Sequence, residues 1–335
     1  MKLVDCRDIS AEEAAVSMNE IMSGEATTSQ IAAFLIALRM KGETLEEITG
    51  CARVMRDKAD KVTLSKDAID IVGTGGDGAN TFNISTCSAF VVAAAGLPVA
   101  KHGNRSASSK CGSADVLEQL GVPINQTPEE STQCLQEVGM AFLFAPLYHP
   151  AIGKVATFRR ELGIRTIFNL LGPLLNPASA PYQLLGVSSP ELLVKMAEAL
   201  KRLDCKRALV VVGDDGLDEV TLTGRTQAIL VDHGILEPLE LFPEDFGFKR
   251  CSLDALKGGS PEENARLIHS ILQGEAGPKR DIVLLNAGIA IYVAKRSKTI
   301  QEGIDLARYS LDSGQAFGKL NALRKGEIHY EKSKH

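Results

Sequence analysis

Two stretches of this sequence have the make-up of a polyanion site. The first, Gly73-Thr74-Gly75-Gly76-Asp77-Gly78, ends the short apolar run at 69–72. Glycines let a backbone approach a ligand closely and turn its amides toward an anion. Read literally the run is GxGxxG, but a dinucleotide site also needs an acid about 20 residues on to hold the ribose hydroxyls. None is there. The stretch from 78 to 114 contains no Asp or Glu, although 42 of the 335 residues are acidic. No GK[ST] follows either, so the turn is not a P-loop. A segment with donors and cations but no carboxylates is what a polyphosphate requires.

Thr81-Phe82-Asn83-Ile84-Ser85-Thr86 comes next, followed by an apolar helical run over 87–95. Ser85 and Thr86 stand where that helix begins, and a helix start offers unpaired amides and a positive dipole end to a phosphate. Taken alone, the two residues also fit a plain N-cap. Beside the glycine turn the anion reading is the stronger. A second loop follows the apolar run at 97–100: Lys101-His102-Gly103-Asn104-Arg105-Ser106-Ala107-Ser108-Ser109-Lys110-Cys111-Gly112-Ser113. It gathers three cations, four serines and an amide before the next helix. A solvated polar loop is the alternative, and the density of donors argues against it.

These loops need a scaffold to aim them. Residues 1–65 read as all helix, with capping boxes at Ser10/Glu13 and Thr44/Glu47, helical spacing of Ile31, Phe34, Leu35 and Leu38, and stops at Gly24 and Gly42. From about 68 the pattern changes to short apolar runs at 69–72, 97–100, 141–144, 184–187, 208–212, 228–231 and 282–285. Helical stretches such as 191–203 and 261–272 lie between several of them. Strands alternating with helices predict an α/β fold with a mostly parallel sheet covered on both faces. Ligands of such sheets collect at the carboxyl ends of the strands, where every motif above falls. The polar residues 325–335 read as a frayed end.

Bulk properties exclude some classes. The net charge of −5 argues against a general nucleic-acid or anionic-membrane binder. No apolar run is long enough to span a bilayer, and the charged start is no signal peptide. Seven cysteines, an odd number without a CxxC pair, read as free thiols in a reducing compartment, so a cytoplasmic protein is expected.

Several motifs, taken together, are those of a known family. GTGGDG with TFNIST, the KHGNRSASSKCGSADVLEQLG loop, His149-Pro150-Ala151 through Arg159-Arg160-Glu161-Leu162-Gly163 to the run ending in Asn176-Pro177, and Asp215-Gly216-Leu217-Asp218-Glu219 resemble the anthranilate phosphoribosyltransferases in order and spacing. The likeness runs over nearly the whole chain. KHGNR alone is less specific, since pyrimidine nucleoside phosphorylases of the same fold carry something similar.

The resemblance implies a small helical domain, 1–65 with a returning segment near 155–180, and a larger α/β domain, 66–154 and 181–335, with the active site in the cleft between them. It implies a homodimer through the helical domain and a magnesium-dependent transfer from phosphoribosyl pyrophosphate (PRPP) to the amine of anthranilate, in tryptophan synthesis. Gly73, Gly76, Asp77, Thr81, Asn83, Ile84, Ser85, Thr86, Lys101, Asn104, Arg105, Ser106, Ala107, Ser108, Ser109 and Ser113 match positions around PRPP. Ser85, Asp218 and Glu219 match the magnesium site. Gly73, Asn104, His149 and Arg159 match contacts to anthranilate. The chain departs from the family at Gly153-Lys154, where relatives often carry a basic residue followed by a ring, in the segment lining the acceptor's path.

The chemistry fits those residues. Magnesium takes hard oxygens and keeps waters while bridging substrate phosphates, and Arg159 offers a planar fork to a carboxylate. An aryl amine is neutral at pH 7, so catalysis reduces to positioning and to stabilising the departing pyrophosphate, with Lys101 as the cation. His102 is the nearest candidate for a general base, although nothing in the sequence demands one. Two rivals are a pyrimidine nucleoside phosphorylase, which needs no magnesium, and a non-catalytic relative that binds nucleic acid. The Asp218-Glu219 pair argues against both, and the negative charge against the second.

Overall fold

A computed structural model describes residues 1–65, 67–106, 110–150 and 161–325. Ala107, Ser108, Ser109, Gly153, Lys154 and Arg159, and nearly all of the expected frayed end, lie outside the described residues.

The chain opens with three helices, α1 (Ala11–Ser23), α2 (Thr28–Lys41) and α3 (Leu45–Asp57). The capping boxes read at Ser10 and Thr44 are both formed, and a third starts α2 at Thr27, where Gln30 returns the bond. The alternation that follows is β1 (Ile69–Gly73), α4 (Ile84–Ala94), β2 (Val99–Gly103), α5 (Ser113–Gln119), α6 (Pro128–Glu137), β3 (Met140–Phe144), α7 (Ala145–Tyr148), α8 (Ile167–Leu171), β4 (Tyr182–Gly186), α9 (Pro190–Arg202) and β5 (Arg207–Gly213). A hairpin of β6 (Thr226–Asp232) and β7 (Ile235–Leu241) comes next, then α10 (Pro261–Leu272), α11 (Pro278–Val293), α12 (Ile300–Asp312) and α13 (Gln315–Lys325).

The seven strands form one sheet in the order β3-β2-β1-β4-β5-β6-β7. β1 to β5 are mutually parallel, and β6 and β7 add antiparallel at one edge. Strands 1–3 extend one way from the centre and 4–5 the other, so the order reverses between β1 and β4. That is where open α/β sheets leave a crevice at their carboxyl ends.

Period-2 side-chain alternation splits the sheet's residues between two cores. On β5, Ala208, Val210 and Val212 pack with α1–α3, α8 and α9, while Leu209 and Val211 pack with α4 and α11. Helix α8 brings Ile167, Phe168, Leu170 and Leu171 into the core of the three N-terminal helices.

Two readings need correction. The run at 282–285 is not a strand but the middle of α11. Its four residues are all fully buried, because α4 covers one side of the helix and α12 another. A short apolar run does not distinguish a buried strand from a helix buried all round. Lys101 and His102, assigned above to a loop, instead end β2, paired with Phe142 and Leu143 of β3.

Candidate active site

Asp218 lies against the paired carboxyl ends of β1 and β4. It lies in the turn after β5, and its carboxylate crosses to the end of β1, where Oδ2 accepts from the Gly75 amide at 2.7 Å. Two glycines make that crossing possible. A Cβ on Gly73 would lie 2.3 Å from Asp218 Oδ2, and one on Gly186 would lie 1.6 Å from the Asp218 carbonyl oxygen. Neighbouring Glu219 accepts from the Ser85 amide at 3.0 Å, in the first turn of α4. The first loop, the start of α4 and the acid pair therefore meet at one point. Asp214 and Asp215 stay out of it: Asp214 pairs with Arg225, and Asp215 accepts from Thr221 and Thr223.

Lys101 reaches the same point from below. Its ammonium donates to the Ile71 carbonyl at 2.5 Å and to Ser85 Oγ at 3.2 Å, and its side chain is buried. Burial lowers its pKa, opposed by the negative charges of Asp70, Glu219 and Asp218. The half-buried acids move the other way. Burial and then the charge of Asp77 raise Asp218, and burial and then the charge of Asp218 raise Glu219. Acids held this close repel one another, and a hard divalent cation relieves that repulsion. Among the described residues no group of three or more His, Cys, Asp or Glu side chains is placed to hold a metal. Two carboxylates leave the other positions for water and substrate oxygens, which suits magnesium.

His102 and His149 form a second, drier patch. His102 Nδ1 is 3.2 Å from the Gly172 carbonyl, and His149 Nε2 is 2.9 Å from that of Leu175. Burial, then the neighbouring His149, pushes His102 down to about 3, so at neutral pH it is an uncharged ring and a weak base. Beneath it Asp70, inside β1, accepts from the His102 amide at 3.2 Å and from Asn176 Nδ2 at 2.8 Å. Burial raises Asp70 to about 6.

The second loop is less open to a ligand than its composition implies. Arg105 is bonded to Glu118 and Asp115, the first acids after the acid-free stretch, and stacks 5.6 Å from the Phe144 ring. The Ser106 amide is held by Asp115, Ser113 Oγ donates to the Asn104 carbonyl, and the Asn104 side chain accepts from the Arg105 amide. Asn83 Nδ2 donates to the Cys111 carbonyl at 3.1 Å, tying the two loops together. Thr81 bridges to Lys257, Ile84 is buried in the first turn of α4, and Asp77 caps the Ala79 amide.

Four residues at the site were not among the sequence candidates: Asp70, Asn176, Arg165 and Asn264. Arg165 donates to the carbonyls of Gly75 and Gly76 at 2.8 and 3.2 Å, and a Cβ on Gly76 would strike its guanidinium. Asp70 left a trace as an acid inside the apolar run at 69–72, and Arg165 and Asn176 fall in the family-like run ending in Asn176-Pro177 without having been assigned a role. Asn264 comes from a distant segment.

Residues 65–317 match the glycosyl transferase family a/b domain, and residues 1–59 match that family's helical bundle domain. An anthranilate phosphoribosyltransferase of Desulfitobacterium hafniense (strain Y51) is 58% identical over 318 residues, 95% of each chain. The chain belongs to the anthranilate phosphoribosyltransferase family. A second member, from Trichlorobacter lovleyi, is 52% identical over 96% of this chain and 97% of its own. The crystal structure of anthranilate phosphoribosyltransferase from Thermus thermophilus superposes with a TM-score of 0.90 at 46% identity, covering 97% of this chain and 98% of that one. The Saccharomyces cerevisiae anthranilate phosphoribosyltransferase in complex with PRPP and Mg superposes at 0.89 with 30% identity, covering 97% and 95%.

Proposed function

We propose that this chain transfers the phosphoribosyl group of PRPP to the amine of anthranilate, releasing pyrophosphate, as a step of tryptophan synthesis. The geometry that carries the reading is the meeting, at the β1/β4 crevice, of an uncapped helix start, a buried ammonium and a paired carboxylate. The helix start and the ammonium suit a phosphate, and the carboxylate pair suits the divalent cation that a pyrophosphate carries, a cation that phosphorolysis does not require.

The first loop and the start of α4 take the phosphates of PRPP, with Gly73, Gly76, Asp77, Thr81, Asn83, Ser85 and Thr86 around them. Asp218 and Glu219, with the Ser85 hydroxyl, hold magnesium, which when bound supplies positive charge to the pyrophosphate oxygens. Lys101, fixed by Ile71 and Ser85, keeps an ammonium at the same place as charge develops on the leaving group. His102, His149 and Asn104 form the acceptor's side, and the family resemblance assigns the anthranilate carboxylate to Arg159. The neutral amine attacks C1 of the ribose with inversion, and no residue need deprotonate it first.

The domain boundaries stated above are part of the proposal, supported by the packing of α8 in the N-terminal core. So is a homodimer through the helical lobe, where an open groove of about 690 Å³ is lined by Leu3, Val4, Val16 and Phe34 and Val16 is 60% exposed. Light scattering on the purified protein tests that association. A cytoplasmic location is supported by the seven free cysteines. Among the described residues no helix is long and apolar enough to cross a membrane.

Anthranilate fluoresces, so its consumption with PRPP, with and without magnesium, tests the reaction directly. Magnesium-dependent loss is expected. No loss from folded protein that still binds PRPP would overturn the acceptor assignment and keep the donor half.

A further inference from the structure

We infer that Asn264 is a positioning residue for the donor site: it turns the Asn83 side chain away from the start of α4 and against the second loop, leaving that helix start open to an anion. The inference rests on the reading above, in which the first turn of α4 receives a phosphate of PRPP.

The orientation of each amide in this relay is fixed by chemistry. Asn264 stands in the first turns of α10, 1% exposed and 181 positions from Asn83. Its Oδ1 accepts from the Gly259 amide at 2.8 Å, and an N–H only donates, so its Nδ2 faces Asn83. That Nδ2 donates to Asn83 Oδ1 at 3.0 Å. Asn83 Nδ2 then donates to the Cys111 carbonyl at 3.1 Å, a group that only accepts. With a backbone donor at one end and a backbone acceptor at the other, the relay runs in one direction only.

Asn83 occupies the position before α4 where asparagine normally caps a helix through its side-chain oxygen. Here it makes no cap bond, because that oxygen is taken by Asn264 and also accepts from Cys111 Sγ at 3.3 Å. In the same first turn the Ser85 amide goes to Glu219, while the Thr86 hydroxyl is buried with no partner among the described residues. That hydroxyl is a donor in want of an acceptor, the second mark of an anion seat beside the uncapped turn.

The base of the relay is firm. Gly258 donates to the Asn80 carbonyl at 2.9 Å, Phe82 donates to Leu256 at 3.2 Å, and a Cβ on Gly258 would lie 2.7 Å from the Phe82 backbone. The loop before α10 is therefore stitched to the segment that enters α4, and Asn264 is placed by that stitching.

The test is Asn264→Ala in the full chain, read by steady-state kinetics and by calorimetric binding of PRPP with magnesium. Loss of the relay is expected to weaken PRPP about tenfold, with the KM for anthranilate little changed. Asn83, once released, caps the helix and competes with the phosphate, so the losses of PRPP affinity from Asn83→Ala and Asn264→Ala should add to less than their sum in the double variant. Unchanged PRPP affinity, equal loss of both substrates, or strictly additive effects of the two substitutions would each overturn the inference. Should the alanine variant fail to fold, Asn264→Asp keeps the acceptor for Gly259 and removes the donor to Asn83. The same PRPP-selective loss is then expected, and its absence is equally fatal. A wild-type protein that binds PRPP but leaves anthranilate intact would instead count against the functional reading alone.

Discussion

The imidazoles of His102 and His149 meet edge to face with centroids 5.6 Å apart, and both are anchored to one short segment, through the carbonyls of Gly172 and Leu175. A carbonyl only accepts, so Nδ1 of His102 and Nε2 of His149 both carry hydrogen. The opposite nitrogens, His102 Nε2 and His149 Nδ1, are buried lone pairs with no partner among the described residues. Two buried rings of fixed tautomer thus lie side by side, His102 uncharged at neutral pH and His149 with its pKa lowered chiefly by burial.

His102 should stay neutral across the working range. Its pKa in the folded chain is about 3, against an ordinary value of 6.5. Nitrogen-resolved NMR should show one Nδ1–H tautomer from pH 5 to pH 8, and a titration midpoint near neutrality would contradict this. The sign of the linkage follows. Between those two values the unfolded chain binds the proton and the folded chain resists it, so the stability His102 contributes is complete above pH 6.5 and is lost as pH falls toward 3. In urea unfolding at pH 7.5 and pH 5, wild type should lose more stability than His102→Gln.

Lys101→Met keeps the length of the side chain and removes the ammonium at the Ile71 carbonyl and Ser85 Oγ. A loss of about 10²–10³ in kcat/KM for PRPP is expected, the scale of one preorganised charge at a developing anion. Steady-state kinetics check it; a change below about threefold would move the charge-stabilising role elsewhere.

Asp218→Asn preserves an acceptor for the Gly75 amide and removes a charge, and Glu219→Gln does the same for the Ser85 amide. Both should raise the magnesium concentration needed for half-maximal rate and lower the rate itself by about 10². A magnesium titration identical to wild type in the paired variant would place the metal at other ligands.

Gly73→Ala and Gly186→Ala separate function from stability at one carboxylate. The Cβ on Gly73 meets the Asp218 side chain, which can swing away, so the fold should survive with its magnesium dependence impaired. The Cβ on Gly186, within β4, meets the backbone of Asp218 in the turn after β5, which moves less cheaply than a side chain. Denaturant unfolding should show Gly186→Ala losing about 1–3 kcal/mol or more, the range for overpacked interiors. Equal stability losses in the two variants would mean that Asp218 is as immobile as the backbone.

The sequence by itself determined the local elements and the donors. Capping boxes at Ser10 and Thr44, the period change near residue 68 and the acid-free stretch after Asp77 are properties of neighbours in the chain, and short-range hydrogen bonding and side-chain spacing make them readable. The run at 282–285 reads as a strand in sequence because its burial by α4 and α12 is a tertiary fact. Only the tertiary structure decided which donors face the site. It moved Lys101 and His102 from loop into strand, turned Arg105 toward Glu118, and set Asp218 against the paired ends of β1 and β4 in the space left by Gly73 and Gly186. It also joined Asn264 to Asn83. These are contacts between segments tens to hundreds of residues apart, fixed by strand order and by the close approach glycine permits, and no local pattern in the chain encodes them.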